Sequence, residues 1–277
     1  MSANSRGITT TFGSLDIINT TISGNTGNRY GGGIEIYGST TTIQHSTIAN
    51  NSSTESGGGI SFFARGIYGY GSTLSLTGNL ITGNESPSGP QVFIDPALHP
   101  KQDEFNLIGA DGDAGVVGFI PDASDIIPGS GVTPAQIIDP ELTNNWGPTW
   151  TRALIAGSPA IDRVPTSQCE GLLDQRGFPR NVDGDGQPSD AECDIGAYEL
   201  DPDLPLPTPT VLPTNTPTAT PSPTATKIPT ATPTATSVST ATPTATSEPT
   251  SIPTATATRP AGPDWSAFIP VTVGGRP

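Results

Sequence analysis

Apolar and polar residues alternate in short runs along the first third of the chain, and Gly or Asn breaks each run. One run, Asn19-Thr20-Thr21-Ile22-Ser23-Gly24-Asn25, returns as His45-Ser46-Thr47-Ile48-Ala49-Asn50-Asn51 and as Gly78-Asn79-Leu80-Ile81-Thr82-Gly83-Asn84. The copies stand 26 and then 33 residues apart. Gly31-Gly32-Gly33-Ile34 likewise returns as Gly57-Gly58-Gly59-Ile60. Leu15-Asp16-Ile17, Thr41-Thr42-Ile43 and Leu74-Ser75-Leu76 precede the three copies. Repetition on this scale marks a solenoid. Strand-length alternation with no helical period makes it an all-β, parallel β-helix.

The alternation predicts strands at Ser14–Ile18, Thr20–Ser23, Gly33–Tyr37, Thr40–Gln44, Ser46–Ala49, Gly59–Phe63, Thr73–Thr77 and Asn79–Thr82. It places Ile22, Ile48 and Ile81 at one inward position, stacked between coils, with Ile34 over Ile60 and Ile36 beside Phe62 on a second face. Asn25, Asn51 and Asn84 are expected in register at a turn. Asn tolerates left-handed backbone there, and its side chain can bond to backbone or to the Asn one coil away. The triple glycines suit a sharp turn. The longer third unit leaves room for Gly66-Ile67-Tyr68-Gly69-Tyr70-Gly71, expected as an exposed aromatic flap or patch.

Beyond residue 96 the pattern loosens. Phe105-Asn106-Leu107-Ile108-Gly109 reads as one more coil strand, and Val116-Val117-Gly118-Phe119-Ile120 as another. The coil region is therefore set at 7–138. Residues 139–200 are dense in Pro, Gly, Asp and Arg. Residues 201–262 repeat Thr-Pro-Thr-Ala-Thr with almost no bulky apolar side chains, so no core offsets the ordering entropy and disorder is expected. Such a stalk suits either O-glycosylation or a bare linker. Residues 263–277 end the chain with the apolar run Phe268–Val273, expected as a sorting or docking segment.

Charge narrows the partners. The chain carries a net −15. Residues 1–200 hold 8 Lys/Arg and 22 Asp/Glu, so −14 of it precedes the tail. An acidic body argues against nucleic acid. No stretch approaches the length of a membrane span. Cys169 and Cys193 sit 24 residues apart in one turn-rich segment. They read either as a disulfide, which implies an extracellular or cell-surface location, or as two thiols. No export signal is visible near Met1. For a chain with secreted character, the expectation is a record that begins inside a longer protein.

Two kinds of chemistry need weighing. Asn181-Val182-Asp183-Gly184-Asp185-Gly186, followed by Glu192, fits the spacing of a calcium loop with Asn at the first position. Asn181, Asp183, Asp185 and Glu192 are thus candidate calcium ligands. Pro188 and the adjoining Cys193 suit an acidic surface loop equally. Catalysis needs a cluster. The repeat faces offer only Asp16, Glu35, Glu55 and Glu85 with Arg29 and Arg65, while His45 and His99 stand alone. No nucleophile elbow is present, and no carboxylate pair suited to glycoside hydrolysis stands out.

Residues 139–200 resemble the choice-of-anchor Q domain of bacterial surface proteins. The resemblance rests on Asp139-Pro140-Glu141-Leu142, Asn145 with Gly147-Pro148-Thr149, Ala153 to Asp162, Asp174-Gln175-Arg176-Gly177-Phe178-Pro179-Arg180 and Cys193-Asp194-Ile195-Gly196-Ala197-Tyr198-Glu199. The preceding repeats resemble right-handed β-helix proteins of the polymorphic outer-membrane and pectate-lyase-like type. Trp146 stands where that family usually has Gly, and Arg152 where it has His. The resemblance implies a C-terminal cap followed by an anchoring signal. Within it, Asp162, Asp174 and Asp194 are expected to pair with Arg176, Arg180 or Arg152. Together with Trp146 and Trp150 these would close the open end of the stack. The whole chain then reads as a non-catalytic, adhesin-like or envelope-associated protein. The alternative is a β-helix that binds or cleaves polysaccharide.

Overall fold

A computed structural model describes residues 7–64, 72–98, 100–186 and 192–204. The expectations for Gly66–Gly71, for His99, for the stalk beyond Leu204 and for residues 263–277 lie outside these residues. Four coils follow one another. The first holds β1 (Ile8–Thr11), β2 (Ser14–Ile18), β3 (Thr21–Ser23) and β4 (Thr26–Gly27). The second holds β5 (Ile34–Tyr37), β6 (Thr40–Gln44), β7 (Thr47–Ala49) and β8 (Ser52–Ser53). The third holds β9 (Ile60–Phe63), β10 (Thr73–Thr77) and β11 (Leu80–Thr82), and the fourth β12 (Val92–Ile94), β13 (Gln102–Glu104) and β14 (Leu107–Ile108). β15 (Val116–Val117) starts a further turn.

Like strands pair in parallel from coil to coil. The first sheet runs β1-β5-β9-β12-β15, the second β2-β6-β10-β13, the third β3-β7-β11-β14, with β4-β8 a short fourth. This is a parallel β-helix. Ile22 pairs with Ile48, Ile48 with Ile81, and Ile81 with Ile108. Ile34 pairs with Ile60 and Ile36 with Phe62. Ile22, Ile48, Ile81, Ile34, Ile60, Ile36 and Phe62 form a buried internal column with Ile17, Ile43, Leu74, Leu76, Val92 and Ile94. Phe119 packs against that column beyond β12.

The Asn residues form a ladder through the interior corner. The Asn25 backbone N–H and its Nδ2 both donate to Asn51 Oδ1 at 3.0 Å. Asn51 repeats this onto Asn84 Oδ1 at 3.0 Å, and Asn84 onto Gln91 Oε1 at 3.3 and 2.8 Å. A second ladder stands at the other end of the third sheet. Asn79 donates twice to Asn106 Oδ1, at 2.9 and 3.0 Å, and Asn106 twice to Asp125 Oδ1, at 2.8 and 3.0 Å. One expectation is corrected. The ladder residues are not left-handed; the residue before each is, at Gly24 (φ 72), Asn50 (φ 55) and Gly83 (φ 66). The turn is made one position early, which leaves the ladder amide free to point along the stack. At the triple glycines the coils meet backbone to backbone: a Cβ on Gly32 would sit 2.3 Å from the Ser52 carbonyl oxygen.

Residues 139–200 lie over the flank of the stack. Ala49, Leu80 and Leu107 point outward from the third sheet and join a second core with Ile137, Ile138, Leu154, Ile161, Val164, Ile195 and Tyr198. An outward apolar row cannot be left in water, so the chain returns over it. Trp146 and Trp150 take no part in closure and are 59% and 53% exposed. No helix among the described residues is long and apolar enough to cross a membrane. The longest described helical piece is α1 (Thr166–Cys169).

Candidate functional site

The flank domain is held by side chains that reach several coils at once. Arg180 is fully buried. Its Nη2 donates to Asn19 Oδ1 at 2.9 Å and to the Gly196 carbonyl at 2.8 Å, and lies 3.5 Å from the His45 carbonyl. Its Nη1 reaches the Asp194 carbonyl at 3.2 Å and Glu199 Oε2 at 3.5 Å. Gly196 N–H donates to the Gly78 carbonyl at 2.9 Å, and Ala197 N–H to Thr47 Oγ1 at 3.0 Å. Asn19, His45 and Gly78 are the left-handed corners between the second and third sheets. The domain therefore reads successive corners of three coils.

The expected ion pairs are partly redrawn. Arg176 Nε pairs with Asp174 Oδ2 at 2.7 Å, both buried, and its guanidinium lies over the Tyr198 ring at 3.6 Å. Arg180 pairs with Glu199 and carbonyl groups, not with Asp162 or Asp194. Asp194 accepts the Asp162 and Leu200 N–H groups at 2.8 and 2.6 Å. Asp162 accepts from Gly184 and Asp185 N–H, each at 3.1 Å. Arg152 donates to Ser23 Oγ at 2.7 Å and to the Asp139 and Pro140 carbonyls. Backbone amides are the nearer donors in a domain this poor in regular structure, so they claim the carboxylates.

Burial sets the electrostatics. Desolvation pushes Asp194 well above the ordinary carboxylate range, with Glu199 adding repulsion. It raises Glu199 to about 7 against the pull of Arg180. It lowers His45 to about 4, helped by Arg180, and His45 Nδ1 has no hydrogen-bond partner among the described residues. A second acidic site, unread in the sequence, closes the far ladder. Asp103 and Asp125 both accept from Asn106 Nδ2 at 3.0 Å. Asp103 rises to about 8 through burial and its proximity to Asp125. The signal was present: Asp103 and Asp125 flank a coil whose corner is Asn106.

Cys169 and Cys193 are joined by a disulfide. It closes the stretch that carries the expected calcium ligands. Asp183 and Asp185 do come together, but with Asp162 instead of Glu192: one carboxylate oxygen from each of the three lies within 4.8 Å of the others. Asp162, at φ 53, receives the loop's own amides and so draws Asp183 and Asp185 over it. Asn181 is exposed with left-handed backbone at φ 66, and Glu192 is half-buried outside the group. Glu35 is buried on β5 and accepts from Tyr37 Oη at 2.9 Å.

One part of the domain faces solvent with apolar groups. Thr143 and Thr151 pair antiparallel around a tip that runs from Asn144 to Trp150. Buried Asn145 holds it by donating to the Thr151 carbonyl and Oγ1 at 3.1 and 2.9 Å. Trp146 stands at φ 71, with its N–H bonded to Asn144 Oδ1 at 3.1 Å. Gly147 rests on Arg176, where a Cβ would come within 2.8 Å of that side chain.

The chain is thus a parallel β-helix with a disulfide-closed flank domain. No family model, curated protein or solved structure matches it.

Proposed function

We propose that this is a non-catalytic extracellular β-helix protein, adhesin-like or envelope-associated, and of the choice-of-anchor Q kind. It works as a rigid body that displays a lateral surface. The observation that carries this reading is the commitment of Arg176, Asp174, Asp194 and Glu199 to holding the flank domain together and of Arg180 to binding it to the coils, together with the Cys169–Cys193 disulfide. Charged groups locked in this way stiffen a scaffold; catalysis would need some of them presented to a substrate. The disulfide fits an oxidising compartment.

The test has two arms. Surface biotinylation of producing cells is expected to label the full chain. A screen of purified protein against polysaccharide lyase and hydrolase substrates is expected to give no turnover. Turnover abolished by Glu35→Gln would overturn the reading.

A further inference from the structure

We propose that the Trp146–Trp150 tip is a binding platform for a neutral polysaccharide built of pyranose rings. This rests on the flank surface being a display surface. Trp146 holds a left-handed φ of 71 while 59% exposed. A bulky residue is an outlier there, and Gly would take the same backbone freely. The exposed indole gains little from burial in its own protein, so the strain points to something outside it. Trp150 ends the same tip and is 53% exposed.

The tip is fixed from below. Gly147 sits on Arg176, itself stacked on Tyr198. Gln175 Nε2 donates to Thr149 Oγ1 at 2.9 Å and lies 3.3 Å from the Trp150 carbonyl. The Gln175 Oε1 end accepts from Thr21 on the first coil at 2.6 Å. The backbone that carries the two indoles is therefore held in place, which lowers the ordering cost of binding. Indole faces match the C–H faces of pyranose rings, and aromatic anchors dominate binding energy where they are rigid. Exposed Asn144 and Thr149 belong to the same tip and offer an amide and a hydroxyl to sugar hydroxyls. Two rings call for more than one sugar. The acidic body and exposed Glu141 disfavour anionic glycans and anionic lipid.

The full chain would be incubated with microcrystalline cellulose and with chitin, and run in native gels cast with soluble xylan or β-glucan. Retention on at least one, with quenching of Trp fluorescence, is expected. Trp150→Ala and Trp146→Gly should each weaken it by about tenfold or more. Trp146→Gly should keep or raise the melting temperature, which separates lost binding from lost folding. No retention of the natural chain, equal retention of both variants, or Trp-dependent binding to phosphatidylglycerol vesicles in place of the glycans would each overturn the platform. Failure is separable: lost retention with surface display intact overturns the platform alone, whereas polysaccharide turnover overturns the non-catalytic reading beneath it.

Discussion

Arg180 and Asn19 lie 161 residues apart in the chain, yet Arg180 Nη2 donates to Asn19 Oδ1 at 2.9 Å. That bond ties the first coil to the segment that returns after the last, and Arg180 makes it without any exposed surface of its own.

Arg180→Ala should therefore loosen the flank domain. Removing one partner of a buried charge pair costs about 3–5 kcal/mol, and the carbonyls of Asp194 and Gly196 lose a donor as well. Hydrogen exchange gives the readout. Gly196 and Ala197 amides should lose protection while Ile48 in the coil core keeps it. Unchanged protection at Gly196 would mean that Arg180 does not hold the domain. Arg180→Lys should not rescue, because an ammonium cannot fork to acceptors on both sides.

Asn51→Ala removes a rung bonded above and below. Asn25 loses two acceptor contacts, and Ile22 O and Asn84 Oδ1 lose donors. The expected loss is roughly 3 kcal/mol, since each buried group left unmet costs about 1–3 kcal/mol. Asn25→Ala, at the half-buried first rung, should cost less. Urea midpoints compare the two; an equal or reversed order argues against cooperative bonding along the stack.

The pH limbs have opposite signs. Asp103 is raised from 3.8 to about 8. Its contribution is full below pH 3.8 and is lost as pH climbs through about 8. His45 is lowered from 6.5 to about 4. Its contribution is present above pH 6.5 and is lost as pH falls through about 4. Melting temperatures between pH 6 and 10 should fall for the natural chain and fall less for Asp103→Asn, in which buried Asp194 and Glu199, both raised, keep their share of the slope. If the variant falls equally, another group governs the alkaline limb.

The disulfide should resist reductant in the native state, because Cys169 and Cys193 are 1% and 0% exposed. Alkylation with mass detection should find both thiols only after denaturant is added together with reductant. A Cys169→Ser/Cys193→Ser variant should lose roughly 3 kcal/mol on the chain-entropy account. Free labelling of the folded chain would contradict the burial.

Ser14–Ile18, Thr40–Gln44 and Thr73–Thr77 were legible to the residue because each is a five-residue run, mostly β-branched or apolar, that recurs before the same refrain. Thr26–Gly27, Ser52–Ser53 and Gln102–Glu104 were not, being too short or too polar to show a period. The covered flank had a signal that went unread. Leu80-Ile81 and Leu107-Ile108 put apolar side chains on both faces, and one face has to meet something outside the coils. The exposed tryptophans ran against the usual fate of indoles. The partners of Arg180 lie too far along the chain for any local pattern to bring them together.

The return of residues 193–200 along the flank has a mechanical meaning. Gly196 and Ala197, a few residues before Leu204, are bonded to Gly78 and Thr47 on the flank of the third and second coils. Tension applied beyond Leu204 would enter the protein sideways. It would load Arg180, the Gly196–Gly78 bond and the disulfide-closed loop before it reached any coil. A tethered molecule would then yield first at its seam, and the column would remain intact under forces that had already opened the domain lying on it.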